Sequence, residues 1–204
     1  MKSDMRIAQK GFSLLEAIIV IAIIFVVAGM AVLGIQNGLG SYKADAAADA
    51  VSTQLRTARE VAIAKRRWVQ ITIDPTTTGP NAAPSITYQV ITLGGETPQP
   101  AVTQPLPAHT QFYVDPTVPD TPMGFGNGAA VEIGGVSGGP PSMYFSTTGS
   151  FVVNQNPFGT INGTIFIGTP NQKATYRAVT ILGATGRVRT YYYSPTTTPV
   201  PWRE

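Results

Sequence analysis

The feature that most limits what this chain can become is an apolar run from Phe12 to Ile35 that contains a single charged residue, Glu16. A helix needs about 20 apolar residues, each rising about 1.5 Å, to cross the hydrocarbon of a bilayer, and Ala17 to Ile35 carries no charge at all. The stretch before it, Met1 to Gly11, is short and polar, with Lys2, Arg6 and Lys10 set against Asp4. Positive charge on that flank predicts a cytoplasmic N-terminus and an outward destination for everything after Ile35. A secretory signal peptide carries its small-residue cleavage site after the apolar core. Here the informative residues come before it.

Glu16 is the chemically demanding position. A carboxylate inside a membrane helix costs about 2.5 to 3.5 kcal/mol on insertion scales, so it calls for a partner or must reach back to water at the membrane edge. No proline interrupts the run, the first being Pro75, whereas Gly29, Gly34, Gly38 and Gly40 fall within or just after it. They admit two readings: points where the helix bends, since glycine costs about 1 kcal/mol relative to alanine there, or small residues for close helix packing.

From Ser41 to Arg67 the pattern stays helical and becomes amphipathic. Val51, Leu55, Ala58 and Ala62 recur at spacings of three and four, and Lys65-Arg66-Arg67 complements the negative end of the helix dipole. Beyond Arg67 the texture is that of strands punctuated by Gly and Pro. Strands are expected over 68–73, 85–93, 111–114, 130–133, 142–145, 150–153, 164–167, 174–182 and 187–193. Gly94 to Pro107 and Pro116 to Gly128 are rich enough in proline, threonine and glycine to predict surface loops. The fold class is therefore α+β, with a long N-terminal helix packed on an antiparallel sheet. Its expected parts are residues 1–11 as a leader, 12–35 as a transmembrane helix, 36–67 as the amphipathic half of that helix and 68–204 as a β-rich head.

Few signs of chemistry accompany this plan. The chain has no cysteine, which excludes disulfides, thiolate metal sites and a cysteine nucleophile. His109 is the only histidine and stands in a Pro/Thr-rich stretch without triad partners. Asp74, Asp115, Asp120, Glu132 and Glu204 follow no metal-loop spacing, although Asp115 and Asp120 share a loop that could approach a cation. The doublets Gly134-Gly135 and Gly138-Gly139 lack the lysine of a phosphate loop. The expectation is a non-enzyme without cofactor or metal. The net charge of +3 lies mostly in the leader, so charge alone does not indicate nucleic acid.

The stretch Lys10-Gly11-Phe12-Ser13-Leu14-Leu15-Glu16 resembles the type III signal of prepilins: glycine at the cut, a hydrophobic first mature residue and glutamate at the fifth mature position. That resemblance implies cleavage between Gly11 and Phe12 by a prepilin peptidase and methylation of the Phe12 amine. It further implies that Glu16 pairs with the Phe12 amine of a neighbouring pilin or pseudopilin subunit. The head is similar to the GspH/FimT group of pseudopilins and minor pilins through Leu55 to Arg59, Trp68 to Ile71, Tyr144 to Gly149, Thr180 to Leu182 and Gly186 to Arg189. The implied protein is a subunit held in the bacterial inner membrane with a periplasmic head, working with an assembly platform in a type IV pilus or a type II secretion pseudopilus. The missing proline tilts this reading toward a minor subunit.

Gly186-Arg187-Val188-Arg189 carries the alternative. Residues two apart in a strand share a face, so Arg187 and Arg189 point the same way and Tyr191 continues that face. Arginines beside an aromatic can hold phosphate and stack on a base, and the stretch resembles the GRxR pattern of FimT-type minor pilins, which implies DNA as a partner. The plainer reading is an edge strand whose arginines keep it soluble.

Overall fold

A computed structural model describes residues 13–76, 83–92, 94, 96–137, 142–156, 159–194, 196 and 201–204, with residues 31–38 and 137 described in backbone only. Contacts divide the chain into two compact units, one up to Leu39 and one from Gly40 onward. One helix, α1 (Leu14–Lys65), contributes to both.

The helix begins and ends with recognisable caps. The Ser13 hydroxyl accepts the backbone N–H of Glu16 at 3.2 Å. Serine at the N-cap with glutamate three residues on is the spacing of a capping box. At the other end Arg66 adopts a left-handed φ of 53°. The N–H groups of Arg66 and Arg67 then return to the carbonyls of Ile63 and Ala62 at 3.3 and 3.1 Å. This is the Schellman arrangement, which satisfies carbonyls that a helix end leaves open.

In the second unit the strands form two antiparallel sheets, where the sequence suggested one. The first runs in the order β3 (Val102–Pro105), β2 (Ser85–Val90), β1 (Val69–Asp74), β7 (Met143–Phe145), β8 (Phe151–Val153). The second runs β12 (Trp202–Arg203), β11 (Arg187–Tyr193), β10 (Arg177–Leu182), β9 (Gly163–Gly168), β5 (Val131–Ile133), β6 (Val136–Ser137), with β4 (Gln111–Phe112) also on β9. The strands expected from pattern are present with ends shifted by a few residues, and the expected 174–182 strand starts later because Lys173–Thr175 form a 3-10 turn.

One core joins the helix stripe to both sheets. Ala47, Val51, Leu55, Ala58 and Ala62 are fully buried against Val69, Ile86 and Phe145 of the first sheet and Ile165, Val179 and Ile181 of the second. Alanines at the contact let the helix backbone approach the sheets closely. Phe145 and Phe151, with ring centroids 5.1 Å apart, supply bulk, and truncating either to alanine costs about 3 to 5 kcal/mol.

The second sheet is covered on its other face as well, so all six residues of β9 are buried. Phe166, Tyr176, Ala178 and Tyr191 pack there under Val118, Met123 and Trp202. The stretch 116–128, expected as a surface loop, is therefore half cover and half surface. The 94–107 stretch also departs from expectation, since its last part is β3. All four side chains of that strand are exposed, so it shows no alternation, and proline is tolerated at a sheet edge.

Candidate functional site

In the unit ending at Leu39 the chemistry is concentrated at the helix start. Leu14, Ile18, Ile21, Phe25 and Met30 are all exposed, and Glu16 is the only charged residue between Leu14 and Met30. A contiguous exposed apolar surface of this kind marks a contact with membrane or protein. Glu16 lies in the first turn, where a carboxylate also complements the positive end of the helix dipole. Among the described residues no helix is long and apolar enough to cross a membrane. The span expected over 12–35 includes Phe12 and the side chains of residues 31–35, which lie outside them. The proposed cleavage point between Gly11 and Phe12 lies outside them too.

In the unit from Gly40 onward, three stretches distant in sequence meet around Arg59. Its Nε–H is shared between the carbonyls of Gly149 and Thr185 at 3.2 and 3.0 Å. Both turns need glycine for this. Gly149 and Gly186 have φ of +85° and +63°, and a Cβ at Gly186 would overlap the Gly149 carbonyl oxygen. One turn along the helix, Arg56 Nη2 donates to the Val188 carbonyl at 3.4 Å. These two helix arginines, with Glu60, Gly186, Arg187 and Val188, line a groove of about 470 Å³. A second recess of about 400 Å³ continues from Arg56 and Arg187 to Arg189 and Glu204.

The structure brings Arg187 and Arg189 together on this rim but separates their roles. Arg187 is exposed, whereas Arg189 Nη1 pairs with Glu204 Oε2 at 3.1 Å. Hydrogen bonding with Tyr191 and the charge of Glu204 hold the Arg189 guanidinium still more firmly protonated than usual. Tyr191 shares their face, as expected, but is only 3% exposed beneath the outer layer. The expected stacking surface for a base is therefore corrected: Tyr191 is a core residue. Arg56 and Arg59 were missed because their partners are carbonyls of distant turns. The signal available was two arginines three apart on one helix face.

Asp115, Asp120 and His109 are occupied locally. Asp115 Oδ1 accepts from the Thr117 N–H and hydroxyl at 2.9 and 2.7 Å, and its Oδ2 accepts from the Tyr176 hydroxyl at 3.1 Å. The bonds from Thr117 come first among the causes that hold its carboxyl below the ordinary 3.8. Asp120 accepts from the N–H groups of Thr121 and Gly126 at 2.6 and 2.8 Å. His109 adopts a left-handed φ of 71°, and its carbonyl accepts from the Thr169 hydroxyl at 2.8 Å. No group of three metal-ligating side chains occurs among the described residues.

Residues 6–32 match the family model of the prokaryotic N-terminal methylation motif. What this defines is a chain with a prokaryotic N-terminal methylation motif ahead of a long helix and antiparallel sheets of an α+β fold. Among solved structures, the minor pseudopilin EpsH from the Type 2 Secretion System of Vibrio cholerae is 14% identical, with a TM-score of 0.45 over 74% of this chain and 97% of that one. The type IV minor pilin FimU of Pseudomonas aeruginosa is 15% identical, with a TM-score of 0.39 over 71% of this chain and 85% of that one. A second crystal form of FimU gives 14% and 0.41 over 72% and 90%. No curated protein sequence matches the chain.

Proposed function

We propose that the chain is a structural subunit that assembles through its N-terminal helix into a type IV pilus or type II secretion pseudopilus. One observation carries this reading: the methylation motif over residues 6–32 runs directly into a capped helix whose apolar side chains are exposed. Cleavage between Gly11 and Phe12 by prepilin peptidase frees the Phe12 amine, a separate methyl transfer then methylates it, and Glu16 of an adjacent subunit supplies its counter-charge. The pairing offsets the cost of a carboxylate in the membrane and sets axial register between subunits. The inner membrane holds the subunit before assembly, the platform there extracts it, and the work done is mechanical.

Mass spectrometry of the chain extracted from peptidase-positive cells tests this. The expected N-terminus is Phe12 bearing one methyl group. Retention of Met1 to Gly11 in those cells contradicts the proposal, as does undiminished incorporation of a Glu16→Val chain into fibres.

A second reading is favoured by the convergence of Arg56, Arg59 and Arg187 on one groove, which suits a phosphate backbone more than it suits base stacking. Here the chain is a DNA-binding minor pilin using Arg187 and Arg189. A gel shift at low salt that persists unchanged in the Arg187→Ala/Arg189→Ala variant removes this reading.

A further inference from the structure

Asparagine followed by glycine is the pairing in which a side-chain amide is most open to attack by the backbone, because glycine has no Cβ to shield its own nitrogen. The sequence contains three such pairs, beginning at Asn37, Asn127 and Asn162. The fold treats them differently. Asn37 and Gly38 lie inside α1, where regular bonding occupies the glycine N–H. Gly163 is buried in β9 between Ile181 of β10 and Ile133 of β5. Asn162 is fixed besides, since its Oδ1 accepts the Gly183 N–H and its carbonyl accepts the Gly134 N–H, at 2.8 Å each.

Asn127–Gly128 has no such frame. It stands in the irregular segment between β4 and β5, where Gly128 is exposed, and among the described residues nothing accepts its N–H. What holds Asn127 is its side chain, whose Nδ2 donates to the Val118 carbonyl at 3.0 Å. Val118 is 3% exposed and belongs to the layer that covers the second sheet with Phe166, Tyr191 and Trp202. One amide is thus both the reactive group and a tie that keeps the cover down.

We propose that Asn127–Gly128 is a site of spontaneous self-modification that loosens this cover. The Gly128 nitrogen gives its proton to solvent and attacks Asn127 Cγ, the Cγ–Nδ2 bond breaks, and Nδ2 takes up a proton and leaves as ammonia. Water then opens the cyclic imide at either carbonyl, to aspartate or to isoaspartate. Nothing is oxidised or reduced. A carboxylate has no N–H, so at position 127 it sets acceptor against acceptor at the Val118 carbonyl. It also brings negative charge between two existing carboxylates. Asp120 Oδ2 already holds the Gly126 N–H at 2.8 Å, and a Cβ on Gly128 would stand 3.4 Å from Glu132 Oε2. Both effects drive the segment away from Val118.

The test keeps the full chain in detergent in warm, mildly alkaline buffer and follows each asparagine by peptide mass spectrometry. The expected result is amide-to-acid conversion at Asn127, with isoaspartate among the products, while Asn162 stays an amide. Gly128→Ala slows that conversion, because the new Cβ crowds the attacking nitrogen. Asn127→Asp lowers the Tm by about 2 to 4 °C, the loss of one hydrogen bond in a domain of this size. An Asn127 that stays an amide, or one that converts no faster than Asn162 or no faster than in Gly128→Ala, overturns the site. An unchanged Tm in Asn127→Asp overturns the loosening. Should that variant fail to fold, the converted fraction of aged wild type, separated by charge, is melted beside the unconverted one, and equal Tm values overturn it.

Discussion

Arg177 Nε donates to Asp45 Oδ1 at 2.6 Å and so ties β10 to a helix residue 132 positions earlier. The rest of the guanidinium is equally engaged. Nη2 donates to the Ser41 hydroxyl at 2.9 Å, Nη1 donates to the carbonyls of Ala174 and Tyr176 at 2.9 Å each, and the group lies over the Tyr192 ring at 5.2 Å. The arginine side chain is 6% exposed and the aspartate 36%. Removing one member of a buried pair costs about 3 to 5 kcal/mol, and the partial exposure of Asp45 puts Arg177→Ala near the lower figure, about 3 kcal/mol. Arg177→Lys recovers only part of this, because a single ammonium cannot reproduce the fork. Urea unfolding of the two variants checks both values, and a loss below about 1 kcal/mol for Arg177→Ala contradicts the assignment.

Gly186→Ala is expected to be severe. The left-handed backbone costs about 1 to 3 kcal/mol for a non-glycine residue in a strained setting, and the new Cβ collides with the Gly149 carbonyl besides. Arg59→Ala strips the same junction of its charged donor and costs about 1.5 to 3 kcal/mol. Arg187→Ala, on the exposed rim, changes stability by less than about 0.5 kcal/mol. Thermal melts of the three variants give this ranking directly, and an Arg187 variant as unstable as the Arg59 one contradicts it.

Acid sensitivity follows from Asp115. Its folded-state carboxyl lies below 3.8, first through the bonds from Thr117. A lowered carboxyl contributes stability that is present above the unfolded value and lost as pH falls through the folded one. Asp115→Asn therefore lowers the Tm at pH 7, and its difference from the wild type shrinks as the pH is taken below 3.8. A difference that stays constant from pH 7 to pH 3 goes against this account.

Alkali acts on Tyr176 with the opposite sign. Burial, and then its bond to Asp115, push the phenol well above its ordinary 10.0. The folded state favours the protonated phenol, so this contribution is complete below pH 10 and is lost as pH rises beyond it. Tyr176→Phe, which cannot ionise, has a smaller fall in Tm between pH 9 and pH 11 than the wild type. Equal falls contradict the prediction.

The helix stripe was legible because Val51, Leu55, Ala58 and Ala62 repeat at helical period and are all buried for one reason, contact with two sheets. β1 was legible because Val69 and Ile71 face that core while Gln70 and Thr72 do not. The outer layer over the second sheet was not. Val118 sits among prolines, and Trp202 lies in a two-residue strand whose partner is Tyr193, so neither belongs to a periodic segment. For the same reason Tyr191 read as a surface aromatic: alternation gives its face but not what covers that face. Arg59 gave no sign of its task, since it serves carbonyls 90 and 126 residues away. The Gly11, Phe12 and Glu16 signal was legible because it depends on fixed local spacing and on no tertiary contact.

The Trp202 indole N–H donates to the Pro119 carbonyl at 2.8 Å, and the ring packs on Phe166 and Tyr193. Trp202 therefore helps to close the outer wall of the domain. A Trp202→Ala chain is predicted to display Phe166 and Tyr191 to any protease, whereas the wild type hides them. Limited digestion of the two chains side by side reads this out, and equal half-lives would contradict it. By this arrangement, a single indole decides whether that wall resists degradation.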